Sequence, residues 1–334
     1  MPFTTLFSST LILGSILALS STQWIFVWLG LELNLMSFIP LLTASNMYNE
    51  SEASMKYFLA QALGSGLILL GSLTFFINPQ ILMNPNLMNL FLLLGLITKL
   101  GIPPCHFWFP SVMSMISWPM CMILTTWQKL VPMVILFYNI VPSMNFFFIT
   151  IILLSSILGG LGGLNQTQLR PLLAYSSIGH MSWMIAASTS SYSCSLIYLI
   201  IYIMITLPLM TLLWSSSSLS NLSSLSFSNT SPSHNTFLFL LLMSLGGLPP
   251  FLGFFPKWMV METLSSSFIL IIFITLLGSV INLYYYLNLM FINILTPSFK
   301  PLLTHKFSTQ GTTYILPLSA SITLGLGPML FMMI

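Results

Sequence analysis

The chain has 334 residues, of which 56% are hydrophobic and only 3% charged: six lysines, one arginine, four glutamates and no aspartate. A water-soluble protein carries about a quarter charged residues, so the bilayer must be the main solvent here, and neither a soluble enzyme nor a nucleic-acid-binding surface fits. The cysteines Cys105, Cys121 and Cys194 form no Cys-x-x-Cys pair and read as small core residues; with no zinc, iron–sulfur, haem-attachment or P-loop pattern, no metal or cofactor site is expected in this chain.

At about twenty apolar residues per span, the sequence predicts one all-α polytopic membrane domain over residues 1–334, with about eleven transmembrane helices. The first, 3 to 21, follows a start that lacks a basic n-region and ends without a small-residue cleavage site, so it reads as a retained helix and not a signal peptide. Next come 24 to 43, 56 to 77, a broken 87 to 117, and 119 to 140. Spans at 145 to 163, 169 to 188 and 194 to 214 follow, then a broken 236 to 264, 266 to 295, and 313 to 333. Gly159-Gly160-Leu161-Gly162-Gly163 misses the dinucleotide-binding spacing and reads as a close helix-packing face, since Gly159 and Gly163 make a Gly-x-x-x-Gly step. The Ser-rich run 215 to 235 is the one long polar stretch and reads as a surface linker. Its sequons at Asn221 and Asn229 would be modified only in a secretory lumen.

The two broken spans share a frame. Gly101-Ile102-Pro103-Pro104 and Gly247-Leu248-Pro249-Pro250 each run on to a Phe-Pro pair, Phe109-Pro110 and Phe255-Pro256. Paired prolines remove amide donors and clash with earlier carbonyls, so in lipid such breaks must be buried in protein or line a wet cavity. Duplicated broken helices point to a transport site. The copies fall in the fourth and ninth spans, five apart, so equivalent helices run in opposite directions. The expectation is an inverted repeat of five-helix halves, 3–140 and 145–295, with 313–333 as an extra C-terminal helix.

Four ionisable residues lie too deep to belong to loops: Glu32, Lys99, Lys129 and Lys257. Each adds about 2.5 to 3.5 kcal/mol to the free energy of insertion at a helix centre, which argues for a purpose. Lysine and glutamate buried in a low dielectric can exchange protons near neutral pH, and together the four read as a row of proton sites. Beside Lys129, Pro132 frees the carbonyl of Gln128, and that carbonyl and the Gln128 side chain can hold water near the ammonium. Structural ion pairs that fix helix register are the alternative, although one glutamate cannot pair three lysines. His180 lies mid-span among hydroxyl neighbours and suits proton transfer or a hydrogen-bonded core role. His106, inside the first break, reads as a secondary relay or a partner for freed carbonyls. His234 and His305 sit in connections and carry no signal. Lys56 reads as an interfacial anchor, Glu262 as a solvated or paired end residue, and Tyr284-Tyr285-Tyr286 as packing.

Lys56, Arg170, Lys300 and Lys306 all fall at connections after even-numbered spans, which places those connections and the N-terminus on the cytoplasm-like side.

Several segments resemble a known family. Trp28-Leu29-Gly30-Leu31-Glu32-Leu33-Asn34, Ser51-Glu52-Ala53-Ser54-Met55-Lys56-Tyr57-Phe58-Leu59, Lys99-Leu100-Gly101 with His106-Phe107-Trp108, and Trp127-Gln128-Lys129 are similar to the NADH dehydrogenase subunit 2 family. So are Asn165-Gln166-Thr167-Gln168-Leu169-Arg170, Ala174-Tyr175-Ser176-Ser177-Ile178, Gly246-Gly247-Leu248-Pro249-Pro250 and Pro256-Lys257-Trp258. These are mitochondrially encoded, antiporter-like membrane subunits of respiratory complex I, and the resemblance runs in order from about residue 20 to 295. It implies that Glu32, Lys99, Lys129 and Lys257 are the family's central glutamate and lysines, on a hydrated axis driven by quinone reduction elsewhere in the complex. It implies the inner mitochondrial membrane, with the N-terminus in the matrix and neighbouring antiporter-like and small membrane subunits as partners. NADH, FMN, iron–sulfur clusters and ubiquinone would then belong to partner subunits, and this chain would hold no redox centre. Relatives commonly carry a glutamate where this chain has Ser111, and bacterial ones have three more N-terminal helices. A free-standing cation/proton antiporter is the alternative and would need a cation site, usually acidic; a non-conducting scaffold is a third reading.

Overall fold

The structure, a computed structural model, describes residues 2–44, 47–74, 85–139, 145–215, 232–265 and 269–295. The elements among the described residues are all α-helices, and seven segments are long and apolar enough to cross a membrane: six single helices and the stretch Trp118–Tyr138, which two short helices share. The predicted spans 266 to 295 and earlier each find a helix or a broken pair of helices. The predicted span 313 to 333, most of the polar run after residue 215, Lys300, Lys306 and His305 lie outside the described residues, as does the side chain of His234.

Two compact units divide the chain, Met1–Leu154 and Ser155–Ile334. In the first, α1 (Pro2–Ser20) pairs along its length with α2 (Trp24–Leu42), and α3 (Tyr48–Thr74) with α4 (Pro85–Leu100). The short α5 (Trp108–Met115) packs on α3, and α6 (Trp118–Thr125) and α7 (Trp127–Tyr138) complete the unit together with the start of α8 (Asn145–Leu164). In the second unit α9 (Leu169–Ser190) contacts α10 (Tyr192–Ser215), α12 (Phe254–Leu264) and α13 (Ile269–Leu295), and α11 (Pro232–Gly246) packs on α10 and α13.

Lipid gives no hydrophobic reward for bringing helices together, so close backbone approach at small residues does that work. A Cβ built on Gly30 would stand 2.7 Å from the Ala18 amide nitrogen of α1, and one on Gly95 of α4 would stand 2.8 Å from the Gly64 carbonyl of α3. In the second unit the predicted glycine face is a three-helix contact. A Cβ built on Gly159 would stand 2.6 Å from the Gly179 amide nitrogen of α9, while Gly160 and Gly163 face Ile281 and Tyr285 of α13. α9 is buried almost all round, from Leu169 through Ser188, and so can carry Ser176, Ser177, His180 and Ser182 inside a membrane protein. Its serine hydroxyls donate back to carbonyls one turn earlier, for example Ser177 to Ala174 at 2.6 Å and Ser182 to Gly179 at 2.6 Å. The outer surfaces are apolar too: on α13 the exposed residues Phe273, Leu277, Val280, Tyr284 and Phe291 recur at helical spacing.

Two expectations need correction. The helix predicted to start at 56 starts at Tyr48, because its polar opening is itself helical: Glu50 stands in the first turn, where the helix dipole favours an acid, and Glu52 pairs with Lys56 at 2.7 Å one turn on. Lys56 therefore belongs to a helix and not to a connection. The span predicted as continuous from 119 to 140 is interrupted at Thr126, whose φ and ψ are −112° and −72°. There Thr125 donates to the Cys121 carbonyl at 2.9 Å and Thr126 to that of Met122 at 2.7 Å, hydroxyl back-bonding that bends helices.

Gly159→Val is expected to destabilise the protein by about 1 to 3 kcal/mol, because the added carbons meet backbone and not a movable side chain. Gly66, with nothing near its Cβ position, is the matched control, and Gly66→Ala is expected to be neutral or stabilising by up to about 1 kcal/mol. Thermal unfolding midpoints in detergent check both; equal midpoints for the two variants would remove the glycine contact from the account.

Candidate functional site

A helix that ends inside a membrane leaves its last four carbonyls without helical partners, and each must be met by something else. At the first break, Gly101 takes φ +69°, the left-handed conformation that suits glycine. The turn lets the Ile102 amide donate to the Ile97 carbonyl at 3.2 Å and the Gly101 amide to that of Thr98 at 3.3 Å. Side chains complete the set. Trp108, at the start of α5, donates its indole N–H to the Thr98 carbonyl at 3.0 Å, and Gln61 of α3 donates its amide to the Lys99 carbonyl at 3.0 Å.

The second break repeats this local geometry. Gly247 has φ +82°, and the Leu248 and Gly247 amides donate to the carbonyls of Met243 and Ser244 at 3.4 and 3.1 Å. Here the ammonium of Lys257 reaches back from α12 and donates to the Gly246 carbonyl at 2.8 Å. The bare Gly247 is also what makes room, since a Cβ there would stand 2.7 Å from the Lys257 Nζ. A cation at a helix C-terminus faces the negative end of the helix dipole, and Lys99, in the last turn of α4, shares that setting.

Each predicted lysine is buried: Lys99 is 6% exposed, Lys129 7% and Lys257 5%. Lys129 stands over the ring of Phe109, with Nζ 4.3 Å from its centroid, a contact worth about 2 kcal/mol where water is excluded. Phe109 is on α5, and its Cβ approaches Gly101 so closely that a Cβ there would lie 2.9 Å away. The first break thus builds the seat of Lys129 as well as the end of α4.

Lys99 and Lys129 both line one cavity of about 20 Å³, whose other polar walls are Asn34, Tyr57, Gln61 and Gln128. A water needs roughly 10 to 15 Å³ and two or more polar partners, and this site offers both. Pro132 lines the same cavity and leaves the Gln128 carbonyl without its helical amide. Glu32 lies half-buried on α2.

His180 lies in the second unit, 6% exposed, with Nδ1 3.1 Å from the Tyr198 hydroxyl and its ring 5.3 Å from that of Tyr202. Asn282 of α13 approaches the same turn of α9, where a Cβ on Gly179 would meet its Nδ2 at 2.6 Å. His106 is buried, with its ring centroid 4.2 Å from that of Phe107 and tilted 33° to it. Lys56 is partly exposed in its pair with Glu52, and Glu262 is exposed at the end of α12. Tyr284 points outward, while Tyr285 and Tyr286 are buried. Among the described residues no three His, Cys, Asp or Glu side chains cluster as a metal site. Sequence reasoning passed over Asn34, Tyr57, Gln61, Tyr198 and Asn282; the available signal was a set of amides and phenols inside otherwise apolar helices.

A family model described as NADH:quinone oxidoreductase/Mrp antiporter, TM matches residues 21–282. NADH-ubiquinone oxidoreductase chain 2 of Lumbricus terrestris is 42% identical, over 99% of this chain and 98% of that one. Its counterpart in Equus asinus is 39% identical, over 98% and 97%. The chain belongs to the NADH-ubiquinone oxidoreductase chain 2 family. It is the family that the segments around Glu32, Lys99, Lys129 and Lys257 resemble. The chain folds as antiporter-like subunits do. A chain of respiratory complex I from Thermus thermophilus superposes with a TM-score of 0.82 at 24% identity, covering 97% of this chain and 78% of that one. A chain of the Mrp complex from a Dietzia species superposes with a TM-score of 0.82 at 14% identity, covering 97% and 74%.

Gln61→Leu is expected to destabilise the first unit by about 1 to 3 kcal/mol, because it leaves the Lys99 carbonyl buried without that donor. Gln61→Asn keeps the chemistry but not the reach, and is expected to recover little. The thermal midpoint is the readout, and a midpoint equal to that of the parent would show that the Lys99 carbonyl needs no partner.

Proposed function

We propose that this chain is the proton-translocating, antiporter-like core subunit of NADH:ubiquinone oxidoreductase, and that it relays protons along an axis built from Glu32, Lys99, Lys129, His180 and Lys257. The observation that carries the reading is the placement of the three lysines. Each is almost wholly buried; Lys99 and Lys257 stand at broken helix ends, and Lys129 stands beside a helix interruption and a polar cavity. A buried lysine is expensive in a membrane, and a register-fixing ion pair does not account for three of them against one deep carboxylate. His180, hydrogen-bonded to Tyr198 on the inner helix of the second unit, adds an imidazole, a group able both to give and to take a proton.

The relay has no oxidation or reduction step of its own. Its driving force is quinone reduction in the complex, with NADH, FMN, iron–sulfur clusters and ubiquinone held by partner subunits. The relatives' shared name supports other subunits of that oxidoreductase as the partners, neighbouring antiporter-like and small membrane subunits among them. The membrane is the inner mitochondrial membrane, with the N-terminus and the even-numbered connections on the matrix side. Arg170, in the first turn of α9 beside the sixth connection, supports that orientation.

Lys129→Met and Lys257→Met are expected to lower proton pumping per NADH oxidised, or turnover, by about tenfold or more in the assembled complex. Methionine removes the charge while keeping the length of the chain, so assembly is expected to survive. Unchanged pumping and turnover in both variants would sink the relay. For orientation, a Thr167→Cys variant, exposed between α8 and α9, is expected to react with an impermeant thiol reagent from the matrix side. A Tyr192→Cys variant, 43% exposed in the parent, is expected to react from the opposite side. Reversed labelling overturns the orientation.

A further inference from the structure

The relay as described leaves Tyr57 and Asn34, at the cavity of the first unit, without a task, and gives Gln128 only that of holding water near Lys129. Tyr57 of α3, Gln128 of α7 and Asn34 of α2 come from three different helices and meet in one chain of hydrogen bonds. The Tyr57 hydroxyl donates to Gln128 Oε1 at 3.3 Å, and Gln128 Nε2 donates to Asn34 Oδ1 at 3.1 Å. Both ends of the Gln128 carboxamide are therefore committed, which fixes the direction of its dipole. The anchors at either end are rigid. Asn34 is 3% exposed, and the Tyr57 ring is held edge-on between Phe38 at 5.2 Å and Trp108 at 5.8 Å. Trp108 is in turn tied to the end of α4 by its bond to the Thr98 carbonyl.

All three residues line the cavity that also receives Lys99 and Lys129. Packing alone does not explain them, since an apolar side chain would fill a helix contact in lipid without leaving polar groups to satisfy. We propose that Tyr57, Gln128 and Asn34 are positioning residues: a fixed strut that keeps this cavity open and orients the water in it for passage of a proton between Lys99 and Lys129. This rests on the relay reading above and adds to it the part of the path between two lysines. In the step itself the ammonium of one lysine gives a proton to the water, and the water hands one of its own protons to the neutral amine of the other. The water is regained and one unit of charge has moved. The strut exchanges no proton; it holds the donor and acceptor directions of the water in line.

The test uses the assembled complex in sealed proteoliposomes, with NADH-driven turnover, pumping and their ratio in H2O and D2O measured per assembled complex. Gln128→Leu, which removes both bonds at similar size, is expected to lower turnover or pumping by about two- to tenfold, the span one or two lost hydrogen bonds correspond to, and to raise the solvent isotope effect. Tyr57→Phe, which removes one bond and keeps the ring, is expected to give a smaller loss of the same kind. A purely structural role would change the amount of complex and leave the per-complex rate and isotope effect as they were, and that result overturns the proposal. Where Gln128→Leu fails to assemble, Tyr57→Phe decides by the same readout. Impaired Lys129→Met beside unimpaired Gln128→Leu and Tyr57→Phe rejects the strut and leaves the relay standing; if Lys129→Met and Lys257→Met are unimpaired too, the relay itself fails.

Discussion

Backbone carbonyls that no helix can satisfy are the constraint on which the rest of this structure depends. A proline pair inside a span ends one helix and starts another at membrane depth, and the freed carbonyls cannot turn to lipid. Both breaks meet this with the same left-handed glycine and the same pair of backbone bonds reaching back over the last turn. They differ in the side chains that finish the work. Trp108 and Gln61 do it at the first, and the Lys257 ammonium does it at the second. Because these donors come from neighbouring helices, satisfying a break also fixes where α3, α5 and α12 sit against it. Functional placement and backbone chemistry are in this sense one problem: Gly101 admits Phe109, and Phe109 carries Lys129.

A polar interior is tolerable because small residues pull the helices together around it. In the second unit, Gly159 against Gly179 brings α8 onto α9, and the bare face of Gly179 receives Asn282 from α13. α9 is enclosed as a result, and its serines turn their hydroxyls onto their own helix. His180 is left facing two phenols in a region that lipid does not reach.

Much of this architecture was legible in the sequence. The Gly-x-Pro-Pro frames located both breaks, because paired prolines have few other uses in an apolar chain, and the deep lysines stood out against a background with almost no charge. What escaped reading depends on pairing across helices. Nothing local in Ser-Met-Lys-Tyr marks Tyr57 as a partner of Gln128, or Gln61 as the cap of a carbonyl on another helix. Thr126 escaped for a different reason: hydropathy is continuous through it, and only the hydroxyl bonds of Thr125 and Thr126 show the interruption. The opening of α3 was missed because a polar segment reads as a connection until its Glu52–Lys56 spacing is weighed against it.

Counted from its glycine, Lys257 occupies in the second frame the place that Ser111 occupies in the first, while Lys99 stands ahead of its glycine. The two frames therefore put their cation on opposite sides of the same bend, and only one cation closes the helix it serves. The first helix end is sealed by an amide and an indole, groups that keep their donors at every pH, so its shape is blind to whether Lys99 holds a proton. The second is sealed by the side chain proposed to change charge. A neutral amine still has hydrogens to donate, so the seal survives, but it loses the electrostatic share of its strength. Two helix ends of like backbone geometry are thereby unequal: the first is closed by groups indifferent to charge, and the seal of the second would weaken if Lys257 gave up its proton.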